Sequence, residues 1–319
     1  MPHETILVTG ATGFAGGHLL DRLADRAPLV AWFRPDGRPP DPARHIEWRG
    51  VNLLDAADVT RAIQDTAPTQ IFHVAGAPQV SSSWLSAVPH LRTNVLGTHH
   101  LLNAVRLAGR PCRVLVVSSS QVYQVGDDPI DENAPLVPST PYGLSKLAQD
   151  RLAEQAWRDD GLDVVIARPF NHAGPRQVGD FVVASFARQI ARIEAGLAPP
   201  ELRVGNLDAR RDMTDVRDVV EAYDLLMAGA PAGRPFNICS GRAWKVHDLL
   251  DELLHVARVP IQIVVDEARL RPSDVPVVQG DASRIRSELG WAPHIRVEQM
   301  LSDTLEWWRA EIRAQAHHS

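Results

Sequence analysis

The chain has 319 residues, of which 45% are hydrophobic and 23% charged, enough for one large α/β domain or a domain with an added lobe. Its net charge of -6 at pH 7 argues against a nucleic-acid-binding surface, because neutralising phosphates requires clustered Lys and Arg. No apolar run approaches the roughly 20 residues of a membrane span, and the N-terminus lacks the pattern of a secretory signal. We therefore expect a cytoplasmic protein without nucleic-acid or membrane partners.

The first half of the chain alternates between short apolar segments and amphipathic ones. Apolar runs predict strands at residues 6–9, 29–33, 45–50, 71–75, 113–117 and 163–167. Helical patterns follow the first, third, fourth and fifth of these runs, at residues 14–26, 56–66, 84–108 and 142–159. Strands that are apolar on both faces and alternate with helices form parallel sheets covered on both sides, so we predict an α/β fold with a doubly wound parallel sheet of the Rossmann type.

The second half of the chain is less regular. After Arg168 comes a loop rich in Asn, Gly and Pro, then a predicted helix at 181–196, short mixed elements, and a final helix ending at Trp307 and Trp308. We interpret this half as a smaller mixed α/β lobe over the carboxyl edge of the sheet, where ligands of open α/β folds bind.

A glycine-rich turn connects the first predicted strand to the first helix. Gly10, Gly13 and Gly16 give the spacing G-x-x-G-x-x-G, which lets the backbone turn tightly and lets a pyrophosphate approach the N-terminus of the helix. This placement in a strand-turn-helix unit favours dinucleotide binding. Residues 1–170, with a later contribution around 212–240, are therefore predicted to bind NAD(P), and residues 171–319 mainly the second substrate.

The end of the second strand distinguishes between the two nicotinamide cofactors. An acidic residue there would bind the ribose 2′-hydroxyl of NAD, whereas this chain has Arg34, with Arg38 nearby. A cation suits the 2′-phosphate, which favours NADP(H), with NAD(H) as the alternative if Arg34 is only a loop cation. The predicted cofactor-binding residues are Gly10, Thr12, Gly13, Phe14, Ala15, Arg34, Asn52, Leu53, Ala75, Tyr142 and Lys146.

Tyr142 and Lys146 stand four residues apart after Pro141, and a run of serines at 118–120 precedes them. If Pro141 lies near the start of a helix, the two side chains share one face. A neighbouring ammonium would then lower the pKa of the phenol from its ordinary value of about 10. We predict that Tyr142 is a general acid/base, with Lys146 as its cation and Ser119 as the hydroxyl that holds the substrate oxygen; Ser118 and Ser120 are the alternatives to Ser119.

These motifs together resemble a known family. T-G-A-T-G-F-A-G at residues 9–16, the serine run and the Tyr142/Lys146 pair look like the extended short-chain dehydrogenase/reductases, the NAD-dependent epimerase/dehydratase family that acts on nucleotide sugars. Segments 168–177, 204–207, 211–218 and 271–276 resemble the GDP-mannose branch. Within that branch, R-P-S-D-V-P at 271–276 is most like the members that reduce GDP-4-keto-6-deoxy-D-mannose to GDP-D-rhamnose.

The resemblance implies a set of substrate contacts and a mode of assembly. The predicted substrate-binding residues are Ser120, Asn171, Arg176, Arg188, Asn206, Arg211 and Arg271. Arginines provide forked donors that suit the oxygens of a diphosphate, although Arg211 and Arg271 also have acidic neighbours with which they could pair. As in relatives of this family, the helices at 84–108 and 142–159 are expected to form a homodimer through a four-helix bundle.

One residue distinguishes reduction from the sister reaction of the branch, 4,6-dehydration of GDP-mannose. Related dehydratases have a Glu two positions after the catalytic Ser or Thr, and here that position is Gln121. An amide cannot shuttle a proton as a carboxylate can, so reduction of the C4 ketone is the expected activity. The alternatives are dehydration, 4-epimerisation, reduction with opposite stereochemistry to a 6-deoxy-talose product, and a catalytically silent binding protein.

Metal chemistry and disulfides are not indicated. The two cysteines, Cys112 and Cys239, lie in different segments and have no C-x-x-C spacing, so free thiols are expected. The 13 histidines include no H-x-x-x-H or H-E-x-x-H pair, and we predict no metal site.

Overall fold

The computed structural model describes residues 4–26, 28–38, 45–77, 86–269 and 275–317. Its strands are β1 (Ile6–Thr9), β2 (Leu29–Phe33), β3 (Ile46–Gly50), β4 (Gln70–His73), β5 (Arg113–Val117), β6 (Asp163–Pro169), β7 (Asn171–Ala173), β8 (Glu201–Val204), β9 (Arg210–Asp215), β10 (Pro235–Ile238), β11 (Ala243–Lys245), β12 (Gln262–Val265) and β13 (Val277–Val278).

The helices of the described residues alternate with these strands. They are α1 (Phe14–Leu23), α2 (Ala56–Thr66), α3 (Val88–His90), α4 (Gly97–Ala108), α5 (Pro141–Asp160), α6 (Val182–Glu194), α7 (Val216–Gly229), α8 (Val246–His255), α9 (Ser283–Leu289) and α10 (Val297–His317). A π-helical turn, Leu91–Leu96, joins α3 to α4, and short 3₁₀ turns lie at Ser120–Val122 and Glu267–Arg269.

Seven strands form a parallel sheet in the order β10-β6-β5-β4-β1-β2-β3. Successive residues of β1 point to opposite faces, so that Ile6 and Val8 pack against α1 and α7 while Leu7 packs against α2, α4 and α5. Burial of both faces explains why the strands are continuously apolar. The predicted α/β fold with a doubly wound Rossmann sheet is confirmed.

The second half of the chain forms a smaller lobe of mixed α/β structure. Strands β7, β11 and β13 pair with β9, and β8 pairs with β12, in both parallel and antiparallel senses. Helices α6, α8 and α10 bury a separate hydrophobic cluster against these strands. The final helix extends to His317, past the predicted end at Trp307 and Trp308, because Leu305, Trp308 and Ile312 continue one buried stripe into the core.

The long helix predicted from residue 84 is interrupted. Residues 84 and 85 lie outside the described part, and the segment from Val88 onward changes to a π-helical turn before α4. This turn carries Asn94, which is fully buried. No helix among the described residues is long and apolar enough to cross a membrane.

Candidate active site

The glycine turn packs against the residues that follow the end of β4. Gly10 has φ +67°, and a side chain there would place its Cβ 2.6 Å from the Cα of Ala75. Gly13 is the N-cap of α1 and supplies no side-chain hydrogen bond to it. The first N–H groups of α1 are therefore available to an anion, as dinucleotide binding requires. The structure thus brings Gly10, Gly13 and Ala75 of the predicted cofactor set together.

Arg34 follows β2 at the same edge of the sheet. Its side chain is 87% exposed, with Nε 3.9 Å from an Asp36 carboxylate oxygen, so the guanidinium can reorient towards a phosphate. Asn52 follows β3 and its amide oxygen accepts a hydrogen bond from the Leu54 backbone at 3.0 Å, while Leu53 lies against Gly97 of α4. Thr12 is exposed in the glycine turn, and Phe14 and Ala15 begin α1.

Tyr142 lies in the first turn of α5, which begins at Pro141 as expected. Thr140 caps the helix by accepting a hydrogen bond from the Gly143 backbone at 2.9 Å. Ser119 follows the carboxyl end of β5. Its hydroxyl accepts a hydrogen bond from the Gln121 backbone at 3.2 Å and interacts with the Tyr142 phenol. Both side chains are buried, so the hydroxyl and the phenol that were predicted from separate segments form one contact.

The pKa of Tyr142 departs from the expectation. Burial raises it to about 12, and the hydrogen bond from Ser119 acts in the opposite direction. The predicted lowering by Lys146 is wrong for this structure, because the Lys146 ammonium is directed elsewhere: it donates to the Val117 carbonyl at 2.8 Å and to the Gln149 amide oxygen at 2.7 Å. Burial also lowers the pKa of Lys146 to about 7, so that a smaller fraction of this side chain is charged at neutral pH.

The three serines have different surroundings. The Ser118 hydroxyl donates to an Asp150 carboxylate oxygen at 2.9 Å, and that carboxylate is held by two hydrogen bonds from Arg168. Ser119 faces Tyr142, and Ser120 is buried in the 3₁₀ turn. This geometry favours Ser119 as the hydroxyl that acts with Tyr142, since Ser118 is already committed to a buried ion pair.

The carboxylates that follow Gln121 in the sequence either hydrogen-bond to other groups or are exposed to solvent. Glu132 accepts a hydrogen bond from the Asn237 backbone at 2.8 Å and lies 3.4 Å from Arg284. Asp131 accepts hydrogen bonds from Asn133, and the two aspartates at 127 and 128 are exposed. The described contacts of these residues give Tyr142 no carboxylate partner.

Some predicted substrate residues line the lobe and others have structural partners. Arg211 lies on β9 and donates to the carbonyls of Arg210 and Val275 at 2.8 Å. Arg188 is exposed on α6 and lies over the Trp308 ring at 6.0 Å. Asn171 is the first residue of β7, and the Asn206 side chain accepts a hydrogen bond from the Asp208 backbone. Arg271 lies outside the described residues.

Arg176 connects the loop after β7 to α1. Its guanidinium hydrogen-bonds His18 Nδ1 at 2.7 Å and the Asp21 carboxylate at 2.5 Å, and the other ring nitrogen of His18 lies 2.8 Å from the Pro175 carbonyl. Arg176 also adopts φ +73°, which is unusual for a residue with a side chain. Its expected contact with substrate stays a prediction, and its observed contacts hold this loop against the helix that begins at the glycine turn.

Three residues near the site were missed from the sequence. A Cβ at Gly143 would collide with the Gln121 carbonyl, so a glycine here lets α5 approach the serine turn. Asn94 accepts from the Ala77 backbone and donates to Ser145, both at 2.9 Å, and Gln149 contacts Lys146. The glycine directly after Tyr142 could have been noticed in the sequence, whereas no local sequence pattern distinguishes Asn94 or Gln149.

One cluster among the described residues has metal-ligand chemistry. It consists of Asp218, Glu221 and His294. His294 Nδ1 lies 2.8 Å from Asp218 and 3.7 Å from Glu221, and Arg22 lies 3.8 Å from Glu221, so these side chains contact one another and Arg22. Cys112 and Cys239 are free thiols.

A nucleotide-binding sheet with a glycine turn and a buried Ser-Tyr contact at its carboxyl edge is the arrangement of NAD(P)-dependent oxidoreductases. The chain belongs to the GDP-mannose 4,6 dehydratase family, whose model matches residues 7–304. The predicted family is thereby confirmed.

Individual relatives cover nearly the whole chain. The chain is 37% identical to a GDP-6-deoxy-D-mannose reductase of Pseudomonas aeruginosa, over 98% of this chain and 99% of the relative. A solved structure of RMD from Pseudomonas aeruginosa, complexed with NADPH, superimposes with a TM-score of 0.83 at 36% identity, covering 97% of this chain and 99% of that one. MoeE5 in complex with UDP-glucuronic acid and NAD gives 0.85 at 30% identity, covering 96% and 99%.

Proposed function

We propose that this chain reduces the C4 ketone of GDP-4-keto-6-deoxy-D-mannose to GDP-D-rhamnose, with NADPH as the favoured cofactor and NADH as the alternative. The observation that carries the proposal is the buried contact between Ser119 and Tyr142 at the carboxyl edge of a dinucleotide-binding sheet. Similarity over almost the full length to a GDP-6-deoxy-D-mannose reductase supports the substrate, and a related structure complexed with NADPH supports the cofactor.

The residues at the sheet edge fit a bound NADP(H). The N-terminus of α1, which begins after Gly13 without a side-chain cap, would bind the pyrophosphate. The exposed Arg34 would bind the 2′-phosphate. When bound, the cofactor supplies the hydride that C4 of the sugar accepts.

Tyr142 is the proposed proton donor of the reaction. As the C4 carbonyl becomes an alkoxide, the phenol O–H bond breaks and its proton passes to that oxygen. A pKa of about 12 keeps the phenol protonated at neutral pH, which is the form that a donor requires. Ser119 would hydrogen-bond the same oxygen, and Lys146 would bind the nicotinamide ribose.

Reduction needs one hydride and one proton, whereas 4,6-dehydration also removes a proton from C5 and expels the C6 hydroxyl. The residue two positions after Ser119 is Gln121, whose amide cannot exchange protons in this way. The described partners of Asp131 and Glu132 hold these carboxylates elsewhere. These contacts favour reduction over dehydration, although the family takes its name from the dehydratases.

The experiment is incubation of the purified chain with NADPH and separate sugar nucleotides. GDP-4-keto-6-deoxy-D-mannose should cause loss of absorbance at about 340 nm, and NMR of the product should identify GDP-D-rhamnose rather than the 6-deoxy-talose epimer. Tyr142→Phe should reduce kcat by about 10²-fold or more, while NADPH binding, measured by fluorescence, stays nearly unchanged. Conversion of GDP-mannose to a 4-keto product, or full turnover by Tyr142→Phe, would contradict the proposal.

We further propose a homodimer formed by the helical segments 88–108 and 141–160 of two copies. Large apolar side chains are exposed on these helices: Val88 by 59%, Leu107 by 54% and Leu144 by 54%. Exposed apolar side chains on two neighbouring helices are typical of a protein interface. The cytoplasmic location expected from the sequence stays a prediction.

A further inference from the structure

Lys146 lies at one end of a buried chain of hydrogen bonds. Its ammonium donates to the Val117 carbonyl at 2.8 Å and to the Gln149 amide oxygen at 2.7 Å. Lys146 and Gln149 lie on adjacent turns of α5 and are both buried. Because an ammonium can only donate, the Gln149 side chain must present its oxygen to Lys146 and its NH₂ group to the other side.

Thr98 fixes the other side of the Gln149 amide. Its hydroxyl donates to the Asn94 carbonyl at 2.7 Å, which uses its single proton. The Thr98 oxygen then accepts from Gln149 Nε2 at 2.8 Å and from His73 Nε2, also at 2.8 Å. The direction of every hydrogen bond around Gln149 is therefore determined.

His73 continues the hydrogen-bond chain from Thr98 to Thr9 of β1. Burial lowers the pKa of His73 to about 3, so its imidazole is neutral. Because its one ring proton is on Nε2, its Nδ1 accepts from the Thr9 hydroxyl at 2.8 Å, and Thr9 accepts from the Ala75 backbone at 3.3 Å. With a neutral His73, the hydrogen bonds that connect Thr9, His73, Thr98, Gln149 and Lys146 each have one direction.

Among the residues that the structure describes, no charged group provides Lys146 with a direct counter-ion. Asp150 on α5 raises the pKa of Lys146, but both its oxygens are bound by Arg168 of β6. His73 on β4 is neutral, and His90 of α3 lies edge-on to the Tyr142 ring at 6.2 Å. In the described part of the chain, the side chain that accepts a hydrogen bond from the Lys146 ammonium is therefore the amide of Gln149.

We infer that Gln149 is a positioning residue, which holds the Lys146 ammonium at the end of a hydrogen-bond chain anchored in the inner strands β4 and β1. This rests on the proposed role of Lys146 in the reaction, but the hydrogen-bond geometry can be tested without substrate. Replacing the amide changes both the direction of the lysine side chain and its affinity for a proton.

The chain offers an unusually clean measurement because Lys146 and Lys245 are its two lysines. We would incorporate lysine labelled with ¹³C at Cε and follow both signals by NMR as the pH is raised. Gln149→Glu places a carboxylate beside the ammonium and should raise the pKa of Lys146 by about 1–3 units. Gln149→Leu removes an acceptor and should lower it. Lys245, which pairs with Asp208 at 2.9 Å, should not change.

Activity gives a second measurement on the same proteins. In Gln149→Glu the high-pH limb of kcat/KM should move to higher pH together with the Lys146 signal, and in Gln149→Leu it should move to lower pH. The matched controls are Gln155→Glu and Gln155→Leu, which change an exposed glutamine of the same helix. Gln149→Asn, whose shorter side chain cannot span Lys146 and Thr98, replaces Gln149→Leu if that variant does not fold.

The outcomes separate this inference from the proposed function. Opposite shifts of the Lys146 signal in the Glu and Leu variants, or a downward shift in the Asn variant, support the inference even if the sugar nucleotide is not reduced. An unchanged Lys146 signal in folded Gln149 variants would overturn it, whatever the activity.

Discussion

At the scale of single residues, the site depends on how a buried phenol is kept protonated and aimed. Tyr142 is buried, which raises its pKa to about 12, and the contact with Ser119 is the interaction that opposes this shift. A neutral phenol suits the delivery of a proton to a developing alkoxide. The structure therefore indicates a neutral, protonated Tyr142, whereas the Tyr-Lys spacing alone suggested a phenol with a lowered pKa.

The serine run gives a matched test at this scale. Ser119→Ala removes the hydroxyl that contacts Tyr142 and should reduce kcat by about 10²-fold, in the range seen when one donor to a developing oxyanion is lost. Ser118→Ala should instead cost about 1–3 kcal/mol of unfolding free energy, because the buried Asp150 loses one hydrogen bond. Steady-state kinetics and denaturant unfolding of both variants check this. A larger loss of kcat for Ser118→Ala than for Ser119→Ala would show that the catalytic hydroxyl belongs to Ser118 and that the assignment to Ser119 is wrong.

At the scale of elements, the site depends on how closely secondary-structure elements can approach each other. α1 reaches the end of β1 because Gly16 lies against the Gly10 carbonyl, and α5 reaches the serine turn because Gly143 lies against the Gln121 carbonyl. Arg176 then holds the loop after β7 against α1 through Asp21 and His18. The helix that follows the glycine turn is thereby connected to the smaller lobe.

Two adjacent glycines of α1 test this close packing. Gly16→Ala would push its Cβ into the Gly10 carbonyl, so we expect loss of NADPH binding together with reduced stability. At Gly17 the nearest atom to an added Cβ is a terminal Arg176 nitrogen at 3.6 Å, an ordinary contact. Gly17→Ala should therefore be tolerated and stabilise the helix by about 0.5–1 kcal/mol. Thermal unfolding and NADPH titration measure both effects; equal behaviour of the two variants would contradict the packing argument.

At the scale of the whole molecule, two hydrophobic clusters fill the Rossmann sheet's faces and a third fills the lobe. The helices on the α2, α4 and α5 side still expose Leu107 and Leu144. Burial of such side chains against a second copy would contribute about 25 cal/mol for each Å² of apolar surface removed from water. The proposed dimer is the arrangement in which these positions become core.

The dimer predicts unequal effects of two similar substitutions. Leu107→Asp places a charge in the proposed interface and should shift the chain towards monomer in light-scattering measurements. Leu197→Asp changes a leucine of similar exposure, 51%, beyond the end of α6 and should leave the oligomeric state unchanged. A wild-type chain that is monomeric at micromolar concentration would remove the proposal.

The sequence by itself determined the doubly wound sheet and the glycine turn at its edge, and it predicted the Ser-Tyr-Lys trio. These features depend on local spacing: apolar runs of strand length, glycines three residues apart, and Tyr142 four residues before Lys146 on one helical face. Local periodicity also placed the start of α5 at Pro141, because proline suits the first turn of a helix. The resemblance of the second half to nucleotide-sugar enzymes indicated the family that the match over residues 7–304 then confirmed.

Only the tertiary structure decided which side chains face one another. Ser118 and Ser119 are indistinguishable in sequence, yet one faces Asp150 and the other Tyr142, because successive residues at a strand end point to opposite sides. The lysine was expected to lower the pKa of Tyr142, but burial dominates, and Gln149, with Thr98 behind it, directs the ammonium away. The contacts of Ser119 with Tyr142, of Ser118 with Asp150 and of Thr98 with Gln149 join residues 23, 32 and 51 positions apart. Burial and direction at such separations follow from packing rather than from spacing along the chain.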